Sequence, residues 1–435
     1  MSKKGPLPII TVKLDKIVGG GQTMGTMDDG RKVFVWGGLP LETVEVQLTK
    51  LKSKMGEGYV TNVIEASKER VEAADPDSFL STSPWQIMTF EAEQNYKVAL
   101  INEAFAMHDV TLPDETFVYT DNRQYEYRNK IEFSFWTDAE TGKIDLAFFR
   151  RGTHSKITVE ATSLAHPSIN AAAQAIRDLL NEKGISGFDL KTLLVRCDAK
   201  GNVVAQLYVK KEEFRKTSEQ DLKSLPVQGF EIIYSNPKSP ASVITKRIFS
   251  WGKTSLSDTI LEVPFTYATE GFFQINLPIY ERALDDIDIW VTPGKPVVDM
   301  YSGVGTIGLT VGGDKVTLVE INESAVNEMK ENILALKRGK SATAILAPSE
   351  KALEYITSND IVIVDPPRAG LHADVIARLL DQKPARIIYL SCNPVTQARD
   401  IQLLGDTYKL TACRGYNFFP RTPHIEHLAI LDLAA

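Results

Sequence analysis

Three strand-end motifs in the last third of the chain hold the residue types that could do chemistry. SCNP (391–394) places Cys392 where an apolar run stops. A thiolate adds to electrophilic carbon and departs again, so a cysteine there is a candidate covalent nucleophile. The alternative is a small core hydrophobe. In DPPRAG (365–370) two prolines stiffen the chain just after Asp365 and direct its carboxylate toward a crevice, unless the segment is a plain turn. DMYSGVGTIGL (299–309) is a Gly-containing turn that lets backbone approach a ligand. Roughly twenty residues later Glu320 ends the next run, where a carboxylate can accept both hydroxyls of a ribose. The turn lacks the third glycine of the dinucleotide fingerprint, which an adenosyl ligand without a pyrophosphate does not require. The alternative is an ordinary α/β turn. Glu426, in HIEH (424–427), reads on residues alone as a solvated charge beside His424 and His427, and the spacing is not that of a helical zinc site.

These motifs need a scaffold that brings strand ends to one rim. From about residue 296, buried β-runs (PVVDM, KVTLVEI, ATAILA, DIVIVD, ARIIYLSC) alternate with helices, the pattern of a mostly parallel doubly wound sheet. Val326, Met329, Ile333 and Leu336 share one helix face. YKLTACRGYNFF and HIEHLAILDL are strand-like with no helix between, which predicts an antiparallel pair closing the sheet. Upstream, residues 8–66 read as short alternating strands (ITVKLDKIV, KVFVWGG, TVEVQLTKLK, EGYVTNVIEA) joined by Gly-rich and Asp-Gly turns, a small barrel of oligonucleotide-binding type. Between them a helix at Glu91 to Met107 mixes with strands in EYRNKIEFSFW, KIDLAFFRR, KTLLVRCDA, NVVAQLYVK and FEIIYSN, predicting an α+β domain.

With 435 residues the chain has room for two or three domains, and its composition is that of a globular protein. The start, MSKKGPLPII, has no cleavable apolar leader, and no apolar run approaches a membrane span, so the expectation is a cytoplasmic protein without a membrane partner. Cys197, Cys392 and Cys413 are too few and too scattered for a disulfide framework or zinc ribbon. A net charge of −7 argues against indiscriminate coating of nucleic acid. Basic residues nevertheless bunch at Lys50, Lys52 and Lys54, at Arg128 and Lys130, at Arg150 and Arg151, and at Lys246 and Arg247, either as a positive face for a structured RNA or as solvated charge.

Taken together, FFQIN (272–276), DMYSGVG (299–305), VEIN (319–322), DPPR (365–368), SCNP (391–394) and FFPRTPHIEHLAIL (418–431) resemble, in order and spacing, the S-adenosylmethionine-dependent RNA 5-methyluridine methyltransferases. Residues 8–66 look like the TRAM domain of many members. YRNKIEFSF with FFRRGTH resembles the central RNA-contacting domain. The resemblance implies three domains: a TRAM/OB-like barrel (1–66), a central α+β domain (67–265) and a C-terminal α/β class I, Rossmann-like methyltransferase domain (266–435). It implies that Gln274, Tyr301, Thr306, Glu320, Ser349 and Asp365 surround the methyl donor, that Phe272 stacks on the target base, and that Arg128 and Lys130 contact RNA. Cys392 would be the nucleophile and Glu426 the general base.

The chemistry suits these residues. Addition of a thiolate at uracil C6 turns C5 into a nucleophile able to take a methyl group, and a base then removes the C5 proton so that the thiolate can leave. A base inside a duplex must flip to reach a strand rim. One departure stands out: many relatives bind a four-iron four-sulfur cluster through cysteines that FLSTSPWQIM (79–88) and VEATSLAHP (159–167) lack, so no cluster is expected and Phe79, Trp85 and Met88 are expected to form a core instead. A TRAM domain favours 23S ribosomal RNA as substrate, with transfer RNA as the alternative and a monomer as the expected state. Two rivals remain at this level: a cytosine-C5 methyltransferase, which usually carries Pro-Cys or Thr-Cys at its nucleophile, and a non-catalytic RNA-binding or assembly factor.

Overall fold

The computed structural model describes residues 7–153, 155–214 and 217–434, so the first six residues of MSKKGPLPII and His154 of FFRRGTH lie outside the described residues. The chain forms two compact units. One comprises 1–103, 148–157 and 419–424, the other 104–147, 158–418 and 425–435.

In the first unit, strands Ile9–Ile17, Thr23–Thr26, Lys32–Trp36, Thr43–Leu51 and Met55–Glu65 close a barrel, with Lys32–Trp36 parallel to Met55–Glu65 and the other pairs antiparallel. Alternation sends Val12, Leu14, Val33, Val35, Val44, Val46 and Leu48 inward. Thr23–Thr26 is absent from the sequence reading because TMGT is short and interrupted by Gly25, where a Cβ would lie 2.7 Å from the Lys13 carbonyl. Trp85, Ile87, Met88 and Ala92 pack with Ile17 and Leu39, and Phe79 lies against them, as FLSTSPWQIM suggested. Arg151 donates to the Leu80 carbonyl at 2.6 Å and lies 4.2 Å from the Trp36 ring centroid.

The same unit buries an ion pair. Lys97 Nζ lies 3.1 Å from Glu93 and donates to the Phe419 carbonyl at 3.2 Å, and both side chains are wholly inaccessible. Glu93 also accepts the Arg421 N–H at 3.1 and 3.0 Å, which holds Arg421 at a left-handed φ of 64°.

In the second unit, a sheet runs Lys246–Gly252, Gly229–Tyr234, Val203–Val209, Leu190–Cys197, Lys130–Thr137, Ile144–Phe149. The stretch 126–129, read as strand from the sequence, is not one: Glu126 has a φ of 58°. Helix Pro167–Glu182, which the sequence reading did not place, buries Ile169, Ala172, Ala173 and Ile176 and packs against Leu190–Cys197 and Val203–Val209.

The larger sheet has the order Ala342–Leu346, Val316–Glu320, Val297–Met300, Ile361–Val364, Arg386–Ser391, Glu426–Leu433, Tyr408–Tyr416, Val118–Tyr119. Its first five strands are parallel and coincide with the five predicted runs. The last two long strands are the predicted antiparallel pair, and Val118–Tyr119 adds an edge that the sequence did not announce. Chain order reverses beside Val297–Met300, so a crevice opens at the carboxyl ends of that strand and Ile361–Val364. Helix Glu323–Ala335 buries Val326, Met329 and Ile333, whereas Leu336 is its half-buried C-cap. No helix among the described residues is long and apolar enough to cross a membrane.

Removing one partner of a buried ion pair leaves the other uncompensated. Glu93→Ala should therefore destabilise the protein by about 3–5 kcal/mol in denaturant unfolding, and Glu93→Met combined with Lys97→Met should recover a large part of that loss. Equal losses in both variants would contradict the pairing.

Candidate active site

The strand Val297–Met300 runs directly into a turn of unusual backbone. Tyr301 (φ 67°), Gly303 (φ 56°) and Gly305 (φ 89°) are all left-handed, and Gly305 is the N-cap of helix Thr306–Val311. A tyrosine in that region costs on the order of 1–3 kcal/mol and persists only where its surroundings dictate it. Here Ser302 donates both its N–H and its hydroxyl to the Val319 carbonyl, at 3.0 and 3.1 Å, and the Ser349 hydroxyl donates to the Tyr301 phenol oxygen at 2.8 Å. Glu320 is oriented by the Gly303 N–H at 3.0 Å and the Asn322 N–H at 2.8 Å, and it remains half-exposed. At Gly303 a Cβ would meet nothing within 4 Å, so the turn borders open space. Beneath it Asp299 accepts the Gly308 N–H at 2.8 Å, while its other oxygen has no partner. Burial pushes this carboxyl up to about 8, with Asp365 and Glu320 adding to the rise and the Gly308 bond opposing it. A strained, open-faced turn with a pre-oriented carboxylate one strand away fits an adenosyl ligand.

The Thr306 hydroxyl is engaged by Tyr280, 2.7 Å away. Tyr280 is buried on helix Leu277–Asp288, and burial raises its phenol far above the usual range, with Asp365, Asp299 and Glu426 contributing in that order. It thus stands among the carboxylates of the site, and no motif pointed to it.

Strand Arg386–Ser391 ends one residue before Cys392. Asn393 then caps helix Pro394–Leu404, accepting the Val395 N–H, with Pro394 at the first helical position. The same residues tie down the neighbouring loop. Asn393 and Thr396 donate to the Arg368 carbonyl at 2.9 and 3.2 Å, and Arg399 donates to the Ala369 carbonyl at 2.9 Å. Asp400 accepts the Leu371 N–H and the Tyr389 hydroxyl, each at 2.8 Å. Gly370 (φ 80°) is required there, since a Cβ would sit 2.5 Å from Asp400. The DPPR and SCNP segments are therefore one assembly.

Glu426 opens the final strand and is 5% exposed, which overturns its reading as a solvated charge. His427 pairs with Ser391 in the antiparallel register, so continuing that register by one residue sets Glu426 across from Cys392. The half-buried Cys392 thiol is pushed up to about 11, chiefly by burial with Glu426 and Asp365 contributing, while Arg368 opposes them. Burial also raises Glu426 well above the ordinary carboxylate range, with Asp365 adding and Arg368 opposing. Asp365 is raised by burial as well. Because Asp365 adds to the rise of Glu426, the two carboxyls titrate as a pair. His427 is structural: its Nδ1 lies 2.6 Å from Gln397 Oε1, its ring packs edge-on to Phe105 at 5.1 Å, and burial lowers it to about 3. Among the described residues no group of three or more His, Cys, Asp or Glu is arranged to hold a metal ion.

Phe272 and Gln274 belong to the segment entering helix Leu277–Asp288. Gln274 is buried and its carbonyl accepts Asn129 at 2.9 Å, whereas the Phe272 side chain is 71% exposed. Lys130, expected to face RNA, instead directs its ammonium at the carbonyls of Glu270 (3.0 Å) and Gly271 (3.4 Å). Arg128 is half-buried, its guanidinium 6.0 Å from the Tyr127 ring centroid.

Comparison with known proteins places this arrangement. A family model described as tRNA (uracil-5-)-methyltransferase matches residues 89–350 and 349–433, most of the chain. The chain belongs to that family. It is an S-adenosylmethionine-dependent RNA uracil-5 methyltransferase. An uncharacterized RNA methyltransferase of Fusobacterium nucleatum is 28% identical to it over 98% of this chain and 96% of its own, and one from Enterococcus faecalis is 28% identical over 93% of each. In fold the methyltransferase is similar to the Pyrococcus abyssi tRNA (uracil-54, C5)-methyltransferase solved with S-adenosyl-L-homocysteine, with a TM-score of 0.78 and 21% identity, covering 97% of this chain and 100% of that one.

The electrostatics give a signed prediction. Only the thiolate is alkylated, so iodoacetamide labelling of the peptide containing Cys392 should be slow at pH 7 and climb about tenfold per pH unit through pH 9. Glu426→Gln removes an anion that raises the thiol and should shift the profile to lower pH, whereas Arg368→Gln should shift it higher. Identical profiles for all three proteins would show that these charges do not act on Cys392.

Proposed function

We propose that the methyltransferase modifies a specific uridine through a covalent bond between Cys392 and uracil C6. The observation that carries this reading is the strand register that sets Glu426 across from Cys392, on a rim where Asp365 and Arg368 also act on the thiol. Gln274, Tyr301, Thr306, Glu320 and Ser349 hold the donor, with Ser349 acting through Tyr301 and Asp365 between donor and base. The bound donor supplies an electrophilic methyl group on a positively charged sulfur. Within this chain Phe272 stacks on the extruded base, and Cys392 loses its proton to solvent and adds to C6 as the thiolate. The electron pair of the C5–C6 double bond moves toward C5 and O4, and C5 takes the methyl as the sulfur–methyl bond breaks and its electron pair stays on sulfur. Glu426 as carboxylate then accepts the C5 proton, the double bond reforms, and the thiolate departs. The raised proton affinity of Glu426 suits it to that last task.

For the RNA we propose 23S ribosomal RNA, on the strength of the TRAM-like N-terminal barrel, with a cytoplasmic monomer as the acting form. Transfer RNA is the second reading, favoured by the family description and by the activity of the Pyrococcus abyssi enzyme. Incubation with labelled donor and each RNA separately, followed by mapping of the methylated nucleotide, decides between them.

The roles separate by substitution. Cys392→Ala should bind RNA and donor but neither methylate nor form an adduct. Glu426→Gln should transfer the methyl and then stall, since removing a positioned base costs about a hundredfold to ten-thousandfold. It should accumulate a denaturant-resistant protein–RNA band carrying the methyl label, and the double variant should not. Normal turnover by Glu426→Gln, or an adduct without Cys392, would show the assignment to be wrong.

A further inference from the structure

The segment 269–273 lies in neither helix nor strand, so its carbonyls need partners from elsewhere. Two cations supply them. The Arg196 guanidinium donates to the carbonyls of Thr269 (3.4 Å), Gly271 (2.8 Å) and Phe273 (2.8 Å). Lys130 donates to those of Glu270 and Gly271 at 3.0 and 3.4 Å. Arg196 is itself wholly buried, its guanidinium 4.6 Å from the Tyr267 ring centroid and 5.7 Å from that of Phe273, and those two rings stack at 3.9 Å. On either side the loop is held again: Glu328 accepts the Ala268 N–H at 3.0 Å, and the Glu270 carboxylate is bound by Gln206 at 2.7 Å and by Arg247.

We propose that Arg196 and Lys130 are positioning residues for Phe272, clamping the carbonyls on either side of it so that the exposed ring is a preformed platform for the flipped base. The proposal rests on the reading of Phe272 as the stacking residue. Burying a guanidinium is costly unless its donors find acceptors, and here carbonyls along one loop engage both terminal nitrogens, while the buried Nε has no partner. Register places Arg196 beside Lys130 on adjacent strands of the central sheet, so both cations rise from rigid backbone into the same loop. A ring whose backbone is already fixed loses little conformational freedom on stacking, which lowers the cost of extruding the base. The effect belongs to the bound complex and hence to kcat more than to donor binding.

The test compares Lys130→Met, Arg196→Lys, Phe272→Leu and the Lys130→Met/Phe272→Leu double variant, assayed with tritiated S-adenosylmethionine on ribosomal and transfer RNA from a strain lacking the enzyme. Lys130→Met and Arg196→Lys should each lower kcat about tenfold or more, leave KM for the donor within about twofold, and accelerate amide exchange at 269–273 without changing the central sheet. The double variant should be no slower than Phe272→Leu alone, because both changes act through one ring. Multiplying losses in the double variant, or unchanged loop exchange in folded Lys130→Met, would overturn the proposal even if Arg196→Lys fails to fold. Wild-type speed in Phe272→Leu would instead remove the stacking reading on which it rests.

Discussion

Cys392, Asp365 and Glu426 share one poorly hydrated rim, with Arg368 as the cation acting on the thiol and on Glu426. Three acidic groups in such a place resist ionisation together, so each is held toward its protonated form. That constraint explains much of what surrounds them. The DPPR and SCNP segments cannot drift apart, because Asn393, Thr396 and Arg399 hold the Arg368 and Ala369 carbonyls against the helix that follows Cys392. The antiparallel final strand delivers Glu426 from the opposite direction. A sixth parallel strand would have brought its amino end to the far edge and left this rim without it. A thiol held back at rest is also protected from oxidation and stray electrophiles until substrate arrives.

The donor side obeys a related rule. Tyr301 accepts a strained φ of 67° because Ser302, Ser349 and Gly303 fix the turn from three directions, and Glu320 is oriented by two backbone N–H groups. Polar atoms facing the crevice are thus placed in advance, so little reorganisation remains when ligand binds. Tyr280 links the halves of the site, bonding to Thr306 on the donor side while lying in the field of Asp365 and Glu426.

The large sheet was legible in the sequence because its inner parallel strands Val297–Met300, Ile361–Val364 and Arg386–Ser391 are almost wholly buried and read as apolar runs, which the partly exposed edge strand Ala342–Leu346 continues. Strand-end motifs were legible for the same reason, since a chemically active residue just after such a run falls on the rim. Glu426 was not readable from its neighbours: HIEH looks like surface charge, and only antiparallel pairing, a long-range property, buries it. Tyr280 and Arg196 were equally hidden. Each sits in an element whose period announces packing, and their roles depend on loops distant in sequence. Lys130 was singled out as an RNA contact by its basic cluster and by the resemblance of YRNKIEFSF, but neither says which way an ammonium points, and it points at the Glu270 and Gly271 carbonyls. The strand Thr23–Thr26 was missed because glycine interrupts it, whereas helix Pro167–Glu182 was missed although Ile169, Ala172, Ala173, Ile176, Leu179 and Leu180 recur at helical spacing and are buried.

The central claim is that Cys392 bonds to the base and that the C5 substituent leaves only after methyl transfer. Substrate RNA carrying 5-fluorouridine at the methylated position tests it most directly, because fluorine cannot be removed as the proton is. Incubation with labelled donor, nuclease and protease digestion, and mass spectrometry of the trapped species should give a single peptide bearing Cys392, the nucleotide and the transferred methyl group together. An unmodified Cys392 peptide, or a nucleotide attached to Cys197 or Cys413, would contradict the account.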